Sequence, residues 1–278
     1  MREISCEKIT EAIRLLCVRA ATKLPPDVAI QLECAAERET SRLGQQALGD
    51  LVENFLFAAE KGIPICQDTG MAVVFADVGQ EVHITGGAFE EAVQEGVRRG
   101  YIYLRKSVVA DPLRRENTGD NTPAILHVRL KEGAGIHLTV APKGFGSENM
   151  SAMKLFLPTV EPEAVEAFVV ETVRQAGASP CPPVVLGVGL GGTIEQAALI
   201  AKRALCRPVD ERHPDPFYAE MERRILDKVN GLGIGPQGFG GTVTALAVNL
   251  ETSATHIAGL PCVVNMGCHA TRHASVIL

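Results

Sequence analysis

Ile63-Pro64-Ile65-Cys66-Gln67-Asp68-Thr69-Gly70, followed at once by Met71-Ala72-Val73-Val74-Phe75-Ala76-Asp77-Val78-Gly79, is where the chain changes character. Upstream the pattern is helical. Ile9, Ile13, Leu16 and Ala20 make one apolar stripe, and Leu48, Leu51, Phe55 and Ala58 make another at three-and-four spacing. Gly62 is placed to cap the second helix. After the break, MAVVFADVG and EVHIT read as short strands divided by Gly79.

Working outward, AFEEAVQEGVRRGYIYL (88–104) reads as a helix. PAILHVRL and IHLTVAP flank KEGAG (131–135), a connection of hairpin length and the clearest hairpin signal in the chain. EPEAVEAFVVETVRQAG is an amphipathic helix ending at Gly177, followed by SPCPP (179–183), the apolar run VVLGVGLGG and the helix TIEQAALIAKRAL. FYAEMERRILDKVNGLG adds a helix, and TVTALAVNL and LPCVVNMG close with apolar strands. Helices and strands intermix without strict βαβ alternation. The expectation is therefore a mixed α/β (α+β) fold, helices around short mixed or antiparallel sheets, rather than a doubly wound sheet. No internal repeat or linker is visible, so residues 1–278 are expected to form a single domain with room for two lobes.

Composition narrows the function. A chain of 278 residues, 46% hydrophobic and 22% charged, suits a globular protein with a sizeable core. The net charge is -6 and basic residues are scattered apart from short clusters such as Arg114-Arg115, so no footprint for nucleic acid is present. The first residues lack an apolar signal region and no later stretch supplies the ~20 apolar residues of a membrane span, which predicts a cytoplasmic protein. Eight cysteines in such a chain are better read as thiols or ligands than as a disulfide framework.

Five of the eight, Cys6, Cys17, Cys34, Cys206 and Cys262, fall in helical or apolar-strand patterns and are assigned to packing. Three sit in loops. Cys66 opens a run that presents a thiol, an amide, a carboxylate and a hydroxyl in four residues, although turn chemistry alone would also place Asp68-Thr69-Gly70 there. Cys181 is pinned between Pro180 and Pro182, a rigid presentation that suits a ligand, with a buried thiol in a helix-to-strand connection as the alternative. Cys268 opens Cys268-His269-Ala270-Thr271-Arg272-His273, where nearby positive charge favours thiolate. His269 and His273, four apart, could share a helix face and make a zinc site with Cys268. Electron-transfer clusters generally take four thiolates, whereas three around a four-iron cluster leave one iron open for Lewis-acid work.

CQDTG, the SPCPP cysteine, KGFGSEN (143–149), GIGPQGFGG (233–241) and GCHATRH (267–273), in this order, resemble the N-terminal part of iron-sulfur (class I) fumarate hydratases and the related L-tartrate dehydratases. The likeness covers nearly the whole chain. It implies a [4Fe-4S] cluster with three protein cysteine ligands, Cys66, Cys181 and Cys268. It further implies that Gln67 and Asp68 face the substrate, with Asp68 in a proton-transfer or hydrogen-bonding role. Arg105 matches an arginine that pairs with a substrate carboxylate. Gly146 falls on a backbone position that approaches substrate, and His256 on an active-site histidine. Each has a plainer reading: a surface arginine, a turn glycine, a structural histidine.

The sequence departs from the single-chain enzymes by stopping at Leu278, just after the third cysteine. By resemblance the missing domain is a separate β subunit, in an α2β2 heterotetramer, acting on a small dicarboxylate. The expectation is the α subunit of a fumarate hydratase that interconverts fumarate and L-malate, with an L-tartrate dehydratase α subunit, or a non-catalytic iron-sulfur or zinc protein, as the other readings.

Two glycine runs invite a different interpretation. Gly187-Val188-Gly189-Leu190-Gly191-Gly192 fits GxGxxG between strand and helix, but RPVDERHPDPF supplies no second strand of a dinucleotide-binding unit, so close strand-to-helix packing is the expectation. GIGPQGFGG lacks the GK[ST] ending of a phosphate loop and reads as backbone packed near the site.

Overall fold

The computed structural model describes all residues 1–278. In chain order the elements are β1 (Arg2–Ser5), α1 (Cys6–Thr22), α2 (Pro26–Arg38), α3 (Arg42–Lys61), β2 (Met71–Gly79), β3 (Val82–Thr85), α4 (Phe89–Gly100), β4 (Ile125–Lys131), β5 (Ile136–Lys143), α5 (Phe145–Glu148), β6 (Ala152–Phe156), α6 (Pro162–Ala176), β7 (Val184–Gly191), α7 (Ile194–Ala204), α8 (Pro216–Asn230), β8 (Ala245–Ser253), β9 (Leu260–Gly267) and β10 (Ala274–Ile277). The class is mixed α/β, as expected. No helix is long and apolar enough to cross a membrane. Contacts divide the chain into two compact units: Met1–Pro25, Phe55–Gly144 and Arg272–Leu278 in the first, Pro26–Asn54 and Phe145–Thr271 in the second.

In the first unit α1 starts at Ser5, whose side chain accepts from Lys8 N at 3.3 Å and so satisfies one of the orphan donors of the first turn. Its stripe Ile9, Ile13, Leu16, Cys17 and Ala20 is buried against α4 and against Val74, Ile136, Leu138 and Val140 of a four-stranded sheet. The sheet order is β10-β5-β2-β4. This corrects the hairpin reading of 123–142: β4 and β5 do not pair, because β2 lies between them, parallel to β4 and antiparallel to β5. Positions 72–79 of β2 are all buried, and a strand so buried needs a neighbour on each edge. KEGAG spans the width of β2 and closes over its end, with Gly79 N donating to Gly135 O at 2.9 Å and Gln80 N to Lys131 O at 2.8 Å. A Cβ on Gly79 would run into the carbonyls of Gly133 and Gly135.

The second unit repeats the plan with other residues. Its sheet order is β6-β9-β7-β8, and central β7 is parallel to β8 and antiparallel to β9. Val184, Leu186 and Val188 of β7 pack with α6 and α8 on one face. Buried Glu166 of α6 ties those helices together by pairing with Arg224 at 2.7 Å and Lys228 at 2.6 Å. On the other face lie Gly187 and Gly189, where a Cβ would enter the carbonyls of Ala201 and Ala197 of α7. Those glycines let a helix lie directly on a strand, which accounts for the GxGxxG spacing without a nucleotide.

Candidate active site

The Cys66 loop enters β2 in the first unit and is fastened at almost every residue. Ile65 is buried and its N donates to Ala21 O at 2.9 Å. Thr69 Oγ1 donates to Arg105 O at 2.6 Å, Tyr101 OH donates to Thr69 O at 2.9 Å, and Asn121 Nδ2 donates to Gly70 O at 3.1 Å. Arg272, buried, donates to Asp68 O. Burial pushes the Tyr101 hydroxyl well above its ordinary range, so it stays a donor. The chemistry-bearing groups are left outside this scaffold: Cys66 and Asp68 are half-buried and Gln67 is exposed.

Inside the loop, Asp68 N donates to Cys66 Sγ at 3.4 Å and Asp68 Oδ1 accepts from Gly70 N at 3.0 Å. A Cβ on Gly144 would stand 3.0 Å from Asp68 Oδ2, so that glycine makes space for the carboxylate. Arg105 is exposed, and its backbone is drawn to the Cys66 loop through Thr69. Buried Asn121 secures the same segment by accepting from Ser107 N at 2.7 Å. Cys66, Gln67, Asp68 and Arg105 are thus brought together in one unit.

In the second unit, Cys181 is exposed and adopts a positive φ of 56° ahead of a cis Pro182-Pro183 bond. Its carbonyl accepts from His269 N at 3.2 Å, which sets the Cys181 loop beside the Cys268 turn. The half-buried Cys268 closes that turn by accepting from Thr271 N at 3.0 Å. Gly146, on α5, has only Ser179 O within 4 Å of a notional Cβ, at 3.9 Å, and its φ is not positive. Neither a turn nor packing requires glycine there. Glu148 anchors α5 to α7 by pairing with Lys202 and to β9 by accepting from Asn265 Nδ2 at 2.9 Å.

His256 is placed apart. It is exposed in the turn before β9, with Nδ1 accepting from Ala258 N at 3.1 Å, whereas Cys268 follows the end of β9. Eight residues of strand separate those ends, roughly 26 Å. The zinc reading loses its premise as well, since residues 268–273 form a turn and an extended segment, not a helix face. Within either unit taken alone, no three His, Cys, Asp or Glu side chains converge on a point that could hold a metal ion.

Three residues that hold the site were not singled out by sequence: Asn121, Arg272 and, as a brace, Gln237. Each works through main-chain carbonyls. Gln237 N and Nε2 both donate to Pro182 O at 2.7 Å. Such contacts carry no spacing signature, although GIGPQGFGG and GCHATRH mark two of the segments.

Comparison with known sequences identifies the family. The sequence model described as "Fumarate hydratase (Fumerase)" matches residues 10–277. A Methanocaldococcus jannaschii protein, provisionally named L(+)-tartrate dehydratase subunit alpha, is 40% identical over 96% of this chain and 96% of its own. The L(+)-tartrate dehydratase subunit alpha of Escherichia coli O157:H7 is 29% identical over 100% of this chain and 93% of its own. The chain belongs to the fumarate hydratase (Fumerase) family.

Proposed function

We propose that this chain is the α subunit of a two-subunit hydro-lyase that adds water to, or removes it from, a four-carbon dicarboxylate. The observation that carries the reading is the Cys66–Gly70 turn, which places a backbone N–H on a sulfur and a carboxylate two residues away. The donor set fits a [4Fe-4S] cluster. Cys66, Cys181 and Cys268 have accessible sulfurs on loops, whereas burial pushes the Cys17 and Cys262 thiols up to about 12, which keeps them protonated and poor ligands. When bound to Cys66, Cys181 and Cys268, the cluster supplies an iron without a protein ligand that acts as a Lewis acid toward the substrate's hydroxyl and carboxylate.

The chain's own side chains divide the remaining work. Asp68 exchanges the proton at the carbon next to the hydroxyl-bearing one, its carboxylate oriented by Gly70 N. Arg105 offers a planar guanidinium to a substrate carboxylate, and Gln67 an amide. Gly146 leaves space where a side chain would intrude. His256, at the other end of β9, takes no step with Cys181 and Cys268 of its own chain.

Fumarate and L-malate are the substrates we assign. A second reading, L-tartrate dehydration, is favoured by the names of both relatives, which as alpha subunits also support a β partner; an α2β2 assembly of the two is part of the proposal. Co-expression with the β partner and anaerobic assay of fumarate, L-malate and L-tartrate decides. Preference for tartrate replaces the first reading by the second, and turnover of none of them defeats both.

A further inference from the structure

Gln237 is an unusual residue to find at φ 52°, a backbone conformation that favours glycine. It is kept there in close company. Its backbone N and its Nε2 each donate to Pro182 O at 2.7 Å, and Nε2 stands 3.3 Å from His269 Nδ1. His269 N donates to Cys181 O at 3.2 Å, and His269 Nδ1 lies 3.1 Å from the same oxygen. One amide side chain thereby joins the segment carrying Cys181 to the turn carrying Cys268. The loop that presents Gln237 is itself held by Glu39, 1% exposed, whose carboxylate accepts from Thr242 N at 2.9 Å and Val243 N at 2.8 Å. A Cβ on Gly241 would strike that carboxylate.

We propose that Gln237 is a positioning residue: it fixes the Cys181 loop against the Cys268 turn, so that both thiols stand ready for one cluster before any metal arrives. Two prolines stiffen the Cys181 backbone but leave it few donors of its own. The bonds that register it must therefore come from elsewhere, and Gln237 and His269 supply them. Partners that orient ligands in this way commonly change metal affinity when lost. The proposal rests on the cluster reading above, yet the placement of the two thiols can be read without metal.

The test uses the full chain co-expressed with its partner, wild type against Gln237→Gly. Glycine suits the positive φ and keeps the backbone bond to Pro182, so this variant folds with its melting temperature unchanged or raised while losing only the side-chain bonds. In cluster-free protein, dibromobimane, which fluoresces once both arms have alkylated thiols, should bridge Cys181 to Cys268, as peptide mass analysis would show. The bridged yield should fall about tenfold in the variant, and the reconstituted variant should lose iron in air about tenfold faster. Equal bridging in the two proteins, or a wild type that gives no such bridge, overturns the proposal. Bridging that depends on Gln237 in a protein that takes up neither iron nor sulfide would overturn the cluster reading and leave the placement standing.

Discussion

Each unit enters its central strand through a cysteine-bearing loop, Cys66 ahead of β2 and Cys181 ahead of β7, and in each that strand is parallel to one neighbour and antiparallel to the other. The strand order in the chain also repeats, with β2, β4, β5 in one unit and β7, β8, β9 in the other. The means of holding the loop differ. Around Cys66, side chains from elsewhere in the unit donate to successive carbonyls, those of Asp68, Thr69 and Gly70. Around Cys181 the backbone is stiffened by prolines and clamped at two carbonyls, those of Cys181 and Pro182. The first arrangement sets a carboxylate two residues from the thiol, and the second flanks the thiol with prolines. On the function proposed above, one strand plan serves a loop for ligation plus proton transfer and a loop for ligation only.

The sharpest way to break the comparison is to remove the sulfurs. Cys66→Ser and Cys181→Ser should each abolish cluster retention and lower turnover by more than about 10^3-fold, several kcal/mol of lost Lewis-acid stabilisation. Cys34→Ser, half-buried on α2, should retain both. Iron analysis with anaerobic assay checks this, and iron loss confined to Cys34→Ser would invert the account. Next comes Asp68→Asn, which has no counterpart near Cys181. Iron content should persist while kcat falls by roughly 10^2 to 10^4; a variant with full kcat would leave the Cys66 loop no different in role from the other.

A smaller effect concerns the scaffold of the second loop. Hydrogen bonds from Ser41, Thr242, Val243 and Thr40 hold the Glu39 carboxyl below the ordinary carboxylate range, outweighing the burial that pushes it up. A carboxyl depressed in the folded state stabilises fully above its unfolded value, near 4.5, and that contribution is lost as pH falls through the lower folded value. Glu39→Gln should therefore cost about 2–4 kcal/mol at neutral pH, where backbone donors lose a charged acceptor, and the gap to wild type should close in acid. Urea unfolding between pH 3 and pH 7 measures it. A constant gap over that range would show that charge on Glu39 does not matter.

Much of this was legible in the sequence, and the misses have physical causes. The stripe of α1 could be read because burial on one face leaves a period, and the strands at 184–192 and 260–267 because burial on both faces leaves an unbroken apolar run. The glycines of β7 read as packing in the sequence, and they do lie against the carbonyls of α7. The hairpin failed because KEGAG has hairpin length yet crosses over β2, a long-range pairing that local turn chemistry does not register. Strand β6, with Met153 and Leu155 exposed, and the four-residue β1 and β10 lack the pattern of a half-buried strand. At the site, sorting cysteines by loop or stripe put Cys66, Cys181 and Cys268 in loops, where the structure has them, but Cys34 and Cys206, assigned to packing, are only half-buried. The residues that hold them, Asn121, Arg272 and Gln237, escaped because donation to a distant carbonyl leaves no mark in the order of residues. The repeated strand plan escaped for a similar reason: it is a repeat of topology, not of sequence.

The most direct test of the central claim is iron and acid-labile sulfide analysis of the complex isolated anaerobically with its β partner, with EPR of the dithionite-reduced cluster on adding substrate. The account predicts about four iron and about four sulfide per chain and a cluster signal that shifts when the dicarboxylate binds. Stoichiometric zinc without sulfide, or a cluster whose spectrum ignores substrate, would contradict it.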